Sequence, residues 1–214
     1  MINKMPFATE RAAMIREQLR ARQIDDERVL AAMAAVPRHL FVSAQQTEQA
    51  YSDQALPIAA GQTISQPYIV ALMAAVLQIA PTDRLLEIGT GSGYAAAVYA
   101  HLAAEVYTVE RYRELAVAAS ARLDQLGYPN VWIHVGDGTH GWPRYAPFDA
   151  IAVAAAGPEV PPSLLAQLAE GGRLVLPIGD QASQTLFCIT RHGDCFERAS
   201  LGPVRFVPLI STAR

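Results

Sequence analysis

The sequence is poor in the residues that mark several common functional classes. It has 2 cysteines, Cys188 and Cys195, which we interpret as reduced thiols, and its 5 histidines lie too far apart for a paired ligand spacing. No run comes near the roughly 18 uncharged apolar residues of a membrane span, and the N-terminus lacks the apolar core of a secretion signal. We therefore predict no metal site and no membrane partner, and we expect a cytoplasmic protein.

The sequence also has no large excess of positive or negative charge. The chain carries 17 lysines and arginines against 20 aspartates and glutamates, which gives a formal net charge of -3. Nucleic-acid binding usually requires a basic surface, so we predict no nucleic-acid partner. Apolar residues, by contrast, make up 51% of the 214 residues, enough for a sizeable core. We expect this core to form in a monomer.

Short apolar runs rich in β-branched residues alternate with helical patterns from residue 83 onwards. Such runs are typical of strands that are buried on both faces of a parallel sheet. Two later extended runs surround a His-Gly-Asp turn at 192–194, which predicts an antiparallel hairpin. The strand segments are RLLEIG, EVYTVE, VWIHV, DAIAVAA and RLVLPIG, and the hairpin is QTLFCITRHGDCFERASL. The pattern predicts an α/β fold with a mostly parallel central sheet, helices on both faces and antiparallel C-terminal strands.

The first 80 residues have a different character. Two amphipathic helices are predicted; the first has Ala12, Ile15 and Leu19 on its apolar face, and the second stops at Pro37. Residues 38–66 show no regular pattern, and so long a loop in a compact domain usually carries function. We expect one domain, 1–214, in three parts: helices and an active-site loop over 1–80, an α/β core over 81–180 and antiparallel strands over 181–214.

Three glycines follow the first strand of the predicted sheet. In LLEIGTGSGY, Gly89, Gly91 and Gly93 would let the backbone approach a ligand at the strand end. The G-x-G-x-x-G spacing of dinucleotide sites is not met, because the third glycine comes one residue early. The acidic Glu87 would repel a pyrophosphate and favour a cationic ligand such as S-adenosylmethionine (SAM). The turn therefore favours SAM over NAD.

Acidic residues also follow the next two strands. Glu110 is placed to accept hydrogen bonds from ribose hydroxyls, and Asp137 of the GDG sequence is placed to accept from an adenine amino group. Each feature alone has another interpretation, since a glycine turn can be a tight connection and a terminal glutamate can be solvated. Together, at three successive strand ends, they predict a nucleoside site for SAM and its product S-adenosylhomocysteine (SAH).

The sequence resembles the protein-L-isoaspartate O-methyltransferase family, which is SAM-dependent. The similarity covers nearly the whole chain, and its most specific motifs are GQTISQP, the GWP-x4-FDAI block and the terminal VRFVPL. The resemblance implies a Rossmann-like methyltransferase fold with an N-terminal helical extension. It also implies transfer of a methyl group from SAM to the α-carboxyl of L-isoaspartyl residues in damaged proteins and peptides. The ester then closes to a succinimide that reopens partly to aspartate, so the implied function is protein repair.

The resemblance also assigns roles to individual residues. Ser65 of the TIS stretch is the implied active-site residue, and we expect an orienting donor because no activating base lies nearby in the sequence. A serine just before Gln-Pro at a helix start also fits an N-cap. The implied cofactor contacts are Thr63 and Ile64 along the pocket, Glu87, Gly89, Gly91 and Ser92 at the amino-acid part of SAM, Glu110 at the ribose, and Asp137 with Gly138 at the adenine.

Two further residues are candidates for substrate contacts. Asp53 in AYSDQALPI is one, although a loop-capping role fits it equally well. The VRFVPL block is typical of an edge strand. By resemblance this block lies near the substrate channel, which makes Arg205 a candidate for binding a peptide carboxylate.

The sequence departs from the family pattern at several positions. Ala154 stands where many relatives have threonine, and Ala75 and Val70 stand where some have an acidic residue and a histidine. Ala95 and Ala96 replace larger polar residues of close bacterial relatives. These departures leave two alternatives open: a SAM methyltransferase that acts on another carboxyl or small molecule, and a catalytically silent SAM-binding protein.

Overall fold

A seven-stranded sheet forms the centre of the computed structural model, which describes residues 7–211. The strands are β1 (Leu56–Pro57), β2 (Thr63–Ile64), β3 (Arg84–Ile88), β4 (Glu105–Glu110), β5 (Val131–Val135), β6 (Phe148–Val153), β7 (Leu168–Gly179), β8 (Gln184–His192) and β9 (Cys195–Val204). The sheet has the order β5-β4-β3-β6-β7-β8-β9, while β1 and β2 form a separate antiparallel pair. Strands β3 to β7 are parallel, and β8 and β9 are antiparallel to their neighbours. The predicted fold class is confirmed.

Helices precede the sheet and lie between its strands. They are α1 (Ala8–Ala13), α2 (Glu27–Ala35), α3 (Pro67–Leu77), α4 (Tyr94–Ala100), α5 (Arg113–Leu126) and α6 (Pro162–Ala166). Among residues 7–211, none of these helices combines the length and apolarity that a bilayer span requires. Pro67 occupies the first turn of α3, where its missing N–H leaves no helical hydrogen bond unmade.

The N-terminal helices correct one detail of the prediction. After α1 the chain continues as a π-helical turn over Met14–Leu19, which changes the angle between successive side chains. Arg11, Met14 and Leu19 are therefore buried, whereas Ala12, predicted on the apolar face, is exposed. Helix α2 ends at Ala35, before Pro37, as predicted.

The strand order reverses at β3, the central strand. From β3 the chain moves outward through β4 to β5 and then returns to β6 on the other side of β3. The segments that follow β3 and β6 consequently meet, and the Ala154 N–H donates to the carbonyl of Ile88 at 2.8 Å. Leu85 of β3 packs in one apolar cluster with α2, α3 and α4, while Leu86 packs in a second cluster on the opposite face. Because β3 is held from both faces, the turn that follows it has a rigid support at the point where α/β sheets bind ligands.

The C-terminal VRFVPL block is not an edge strand, which corrects the prediction. Strand β9 ends at Val204, and the chain then leaves the sheet. The Ala156 N–H donates to the carbonyl of Val207 at 2.8 Å, and Ala156 accepts from the Leu209 N–H at 2.7 Å. These bonds draw the segment across the end of β6, towards the glycine turn, instead of along the sheet edge.

Candidate active site

The glycine turn forms the floor of a cavity at the carboxyl end of β3. Gly91 has a φ of 54°, in the left-handed region that favours glycine, and its N–H donates to Glu110 Oε2 at 2.8 Å. The same carboxylate accepts from the Tyr112 N–H through Oε1 at 2.9 Å. Two backbone donors thus fix Glu110, which is buried, at the wall of the cavity.

Most of the predicted cofactor residues line this cavity together with Ser65, the predicted active-site residue. Those that do are Thr63, Ile64, Ser65, Glu87, Gly89, Gly91, Ser92 and Glu110. A second cavity adjoins the first and includes Gly138, Ile88 and Tyr112 in its lining; the two share Gln62, Gly89, Glu110 and Val207. The two adjoining cavities therefore extend on either side of Glu110, from the glycine turn to the loop that follows β5, as an extended nucleoside requires.

Asp137 occupies a different position from its predicted partners. Its side chain lines neither of these cavities; Oδ1 accepts from the Thr139 N–H at 2.9 Å and from the Thr139 hydroxyl at 2.7 Å. Oδ2 accepts from the Ser211 hydroxyl at 3.3 Å. The carboxylate therefore shapes the loop that presents Gly138, and its contact with an adenine stays a prediction.

Glu87 is the most unusual group in the cavity wall. Its side chain is 1% exposed, and Oε2 accepts from the Thr108 hydroxyl at 2.6 Å. Oε1 has no hydrogen-bond partner among the described residues, although it is fully buried. Burial raises the pKa of Glu87 to about 8, the Thr108 hydrogen bond opposes this rise, and the nearby Glu110 adds to it. A buried acceptor without a partner, beside a cavity, fits a ligand that brings its own donor, as the ammonium group of SAM would.

Ser65 is delivered to the cavity by the long loop. The β1–β2 pair holds Ile64 buried, and Ser65 follows it, half-buried and on the cavity wall. The N-cap residue of α3 is Gln66, so the capping interpretation of Ser65 is wrong. The Ser65 hydroxyl makes no hydrogen bond within residues 7–211, which leaves it available to a ligand.

Asp53 takes the capping role instead. Its Oδ1 accepts from the Tyr68 N–H in the first turn of α3 at 3.2 Å, and its Oδ2 pairs with the guanidinium of Arg22 at 2.6 Å. The same guanidinium lies over the Tyr68 ring, 3.2 Å from its centroid. Asp53 therefore fixes the start of α3 next to Ser65, and its direct contact with a substrate stays a prediction.

A groove lies beside Ser65 and includes Thr63 and Gln66 in its wall. Its lining includes Arg22, Tyr68, Leu201, Arg205 and Phe206, and it meets the glycine-turn cavity at Thr63 and Val207. Arg205 is exposed and forms no ion pair or hydrogen bond with any described residue. The groove combines apolar side chains with the arginines Arg22 and Arg205, which suits a peptide segment that carries carboxylates.

Several residues of the site were not identified individually from the sequence. Val207 and Gln62 line both cavities, and Thr108 and Thr90 stand behind Glu87. Val207 lies in VRFVPL, Gln62 in GQTISQP and Thr90 in the glycine turn LLEIGTGSGY, but the sequence assigned none of them a role. Thr108 comes from a strand interior, where threonine is common.

Gly138 is needed for the shape of the second cavity. A Cβ atom built on Gly138 would lie well inside van der Waals contact of Ile88 Cγ2, a rigid branched side chain at the end of β3. We expect Gly138→Ala to lower the free energy of unfolding by about 1–3 kcal/mol and to weaken adenosine binding more than tenfold. Thermal unfolding and calorimetric titration measure both effects. Gly127→Ala, which is strained by its own φ of 78° but lies at a helix end outside both cavities, is the control for binding, and normal adenosine binding by the Gly138 variant would contradict this steric role.

Fold and site together define a Rossmann-like, SAM-dependent methyltransferase. The doubly wound sheet has antiparallel terminal strands, the glycine turn lies at the point of strand reversal, and buried carboxylates face the adjoining cavities. The unpartnered acceptor of Glu87 fits the ammonium-bearing cofactor of that class better than a pyrophosphate.

Comparison with known proteins assigns the family. Residues 9–214 match the family model "Protein-L-isoaspartate(D-aspartate) O-methyltransferase". The chain is 59% identical over 206 residues to the protein-L-isoaspartate O-methyltransferase of Roseiflexus castenholzii, covering 96% of this chain and 94% of that one. It is 53% identical over 204 residues to the enzyme of the same name from Koribacter versatilis, covering 95% and 92%. The chain belongs to the protein-L-isoaspartate(D-aspartate) O-methyltransferase family and is an enzyme of that class.

Solved structures agree with this assignment. A protein-L-isoaspartate O-methyltransferase superposes with a TM-score of 0.86 at 28% identity, covering 94% of this chain and 66% of the other. A putative protein-L-isoaspartate O-methyltransferase from Plasmodium falciparum, solved in complex with S-adenosyl-L-homocysteine, gives a TM-score of 0.81 at 28% identity and covers 94% and 98%. The N-terminal helices and the antiparallel C-terminal strands are thus shared with proteins of this name.

Proposed function

We propose that this chain repairs damaged proteins by methylating the α-carboxyl of L-isoaspartyl residues, with SAM in the glycine-turn cavity and the peptide in the groove beside it. The observation that carries the proposal is the position of Ser65. Its unengaged hydroxyl lies on the wall of the cofactor cavity, and the groove reaches the same cavity through the neighbouring Thr63. Family membership indicates the reaction, and the meeting of the groove with the cofactor cavity beside Ser65 indicates where it would occur.

The chemistry asks little of the protein beyond positioning. SAM, when bound, supplies an electrophilic methyl group. The accepting carboxylate has an ordinary pKa of about 4, so it is ionised at neutral pH and needs no general base. Orientation of two bound reactants supplies several kcal/mol towards such a reaction. A neutral donor such as Ser65 orients the carboxylate and leaves its charge intact. A lysine or arginine would instead neutralise that charge.

The residues of the cavity divide by the part of the cofactor that they would hold. Glu87, with its free Oε1, would accept from the ammonium group, and Gly89, Gly91 and Ser92 would follow the amino-acid chain. Glu110, at the junction of the two cavities, would accept from the ribose hydroxyls. The adenine would lie in the second cavity against Gly138, with Asp137 shaping that loop.

A labelled-methyl assay tests the proposed reaction. Wild-type protein is incubated with methyl-labelled SAM and either a peptide that contains isoaspartate or its aspartate twin. We expect label in the isoaspartyl peptide alone, in a base-labile ester. Equal labelling of the twins, or labelling of neither, would overturn the proposal; selective labelling of a small molecule would favour a different carboxyl substrate, and binding of SAM without any transfer would favour a silent binding protein.

Arg205 is proposed to attract the carboxylates of the peptide. Its unpaired charge lies on the groove wall, where solvent screens it, so its contribution is modest. We expect Arg205→Gln to raise KM for an isoaspartyl peptide about fivefold with kcat little changed. Arg198→Gln, on the outer strand β9 and stacked on Phe187, is the matched control. An unchanged KM would remove Arg205 from the substrate site.

Three properties of the protein stay predictions from the sequence. We propose a monomer that acts in the cytoplasm and binds no nucleic acid, and the net charge of -3 supports the last of these. Light scattering after gel filtration checks the oligomeric state, and a band-shift titration at low salt checks the nucleic-acid prediction. The division into three parts of one domain is likewise an expectation.

A further inference from the structure

Behind the Glu87 carboxylate lies a short chain of buried hydroxyls. Thr108 is 0% exposed, and its hydroxyl is 2.6 Å from Glu87 Oε2; the Thr90 hydroxyl is 2.7 Å from that of Thr108. A carboxylate only accepts, so the Thr108 proton points to Glu87, and Thr108 must then accept the proton of Thr90. With an ionised Glu87, the two hydrogen bonds of this hydroxyl chain run in one direction: Thr90 donates to Thr108, and Thr108 donates to the carboxylate.

Within residues 7–211, the Glu87 side chain receives a hydrogen bond from Thr108 and from no other group. Glu110, at the end of the neighbouring strand β4, is the nearby charged group, and its negative charge disfavours ionisation of Glu87. From α4 the nearby titratable group is Tyr99, which is 1% exposed, and burial followed by the charge of Glu87 raises its pKa. No described lysine or arginine forms an ion pair with Glu87. The threonine chain is therefore the protein's own support for the ionised carboxylate.

We propose that Thr108, backed by Thr90, is a positioning residue that stabilises the ionised form of Glu87 when the cofactor binds and turns its Oε1 towards the ammonium group of the cofactor. The inference rests on the proposed cofactor site and adds to it a group that never contacts the ligand. With Oε2 fixed by Thr108, the carboxylate has one defined orientation, and Oε1 is the acceptor that remains. Hydrogen bonds in a low-dielectric surrounding strengthen one another when they are aligned in this way.

The test separates the two ends of the cofactor. SAH carries the amino-acid part that Glu87 would bind, whereas 5′-methylthioadenosine has the same adenine and ribose but lacks it. At pH 7 we expect Thr108→Val, which keeps the shape and removes the donor, to weaken SAH binding about tenfold and methylthioadenosine binding less than twofold. Thr108→Ser should restore SAH binding to within about twofold, because it restores the hydroxyl. Thr185→Val, a half-buried threonine of β8 at the other end of the sheet, is the matched control.

A second readout follows proton binding to Glu87. Loss of the Thr108 donor raises the pKa of Glu87 further, so the pH at which SAH affinity levels off should move upward in Thr108→Val relative to wild type. Thr90→Val should also weaken SAH binding more than methylthioadenosine binding, but with a smaller loss of SAH affinity. If Thr108→Val does not fold, the Thr90 variant tests the positioning role in its place. Equal loss of both ligands, or no loss of either, would overturn the positioning role; failure of wild type to bind SAH would instead refute the proposed function.

Discussion

Replacing Ser65 by alanine should lower kcat for an isoaspartyl peptide about 100-fold and leave the Kd for SAH within about twofold. The expected loss matches that for removing one oriented donor from an active site. The substrate carboxylate is ionised without help, so the enzyme's contribution lies in holding it in line with the methyl group. The serine contributes this orientation and, in the described part of the chain, makes no other hydrogen bond.

The same substitution should leave folding intact. Asp53, and not Ser65, accepts the N–H in the first turn of α3, so no helix cap is lost. We expect the free energy of unfolding to stay within about 0.5 kcal/mol of wild type. Ser52→Ala, an exposed serine of the same loop, is the control for kcat. A Ser65→Ala enzyme with kcat within about threefold of wild type would contradict the orienting role.

The sheet could be predicted from the sequence because its signal is local. Runs such as RLLEI and AIAV are mostly apolar on both faces, as is typical of central parallel strands, and the structure places them in β3 and β6. The π-helical turn after α1 and the departure of the chain from the sheet at Arg205 were not predictable in this way. Both depend on how a segment packs against distant parts of the chain, which residue periodicity does not record.

The site shows the same division. Glu87, Gly91 and Glu110 were predictable because each lies at or near the end of a strand, and the carboxyl ends of parallel strands lie at one edge of the sheet. The chemistry of Ser65 came from resemblance alone, since a serine before Gln-Pro fits a helix cap equally well. Thr108 gave no signal: in EVYTVE it is one more β-branched strand residue. Its role depends on its pairing opposite Glu87, which only the sheet register reveals.

Glu87→Gln should weaken cofactor binding and stabilise the unliganded protein. We expect SAH affinity at pH 7 to fall about 100-fold, because the amide cannot provide the charge-assisted hydrogen bond of a carboxylate to an ammonium group. In wild type the pKa of Glu87 is raised to about 8 by burial, so below pH 8 a proton must leave before the carboxylate binds the cation. Wild-type affinity should therefore rise between pH 6 and 7, by up to about tenfold, and that of the variant should stay flat. Calorimetry in two buffers of different ionisation enthalpy detects the released proton, and flat wild-type affinity would contradict the assignment.

The unliganded variant should gain stability, and the sign follows from the same pKa. Folding raises the pKa of Glu87 above its ordinary 4.5, so between pH 4.5 and 8 the folded state binds more protons than the unfolded state. Stability then falls as pH rises through this window, and a glutamine removes that decline. We expect Glu87→Gln to match wild type near pH 5 and to exceed it by about 3 kcal/mol at pH 8.5, measured by urea unfolding without ligand. Lower stability at pH 8.5 would show that Glu87 supports the fold; higher stability would show that a costly buried charge is kept for the cofactor.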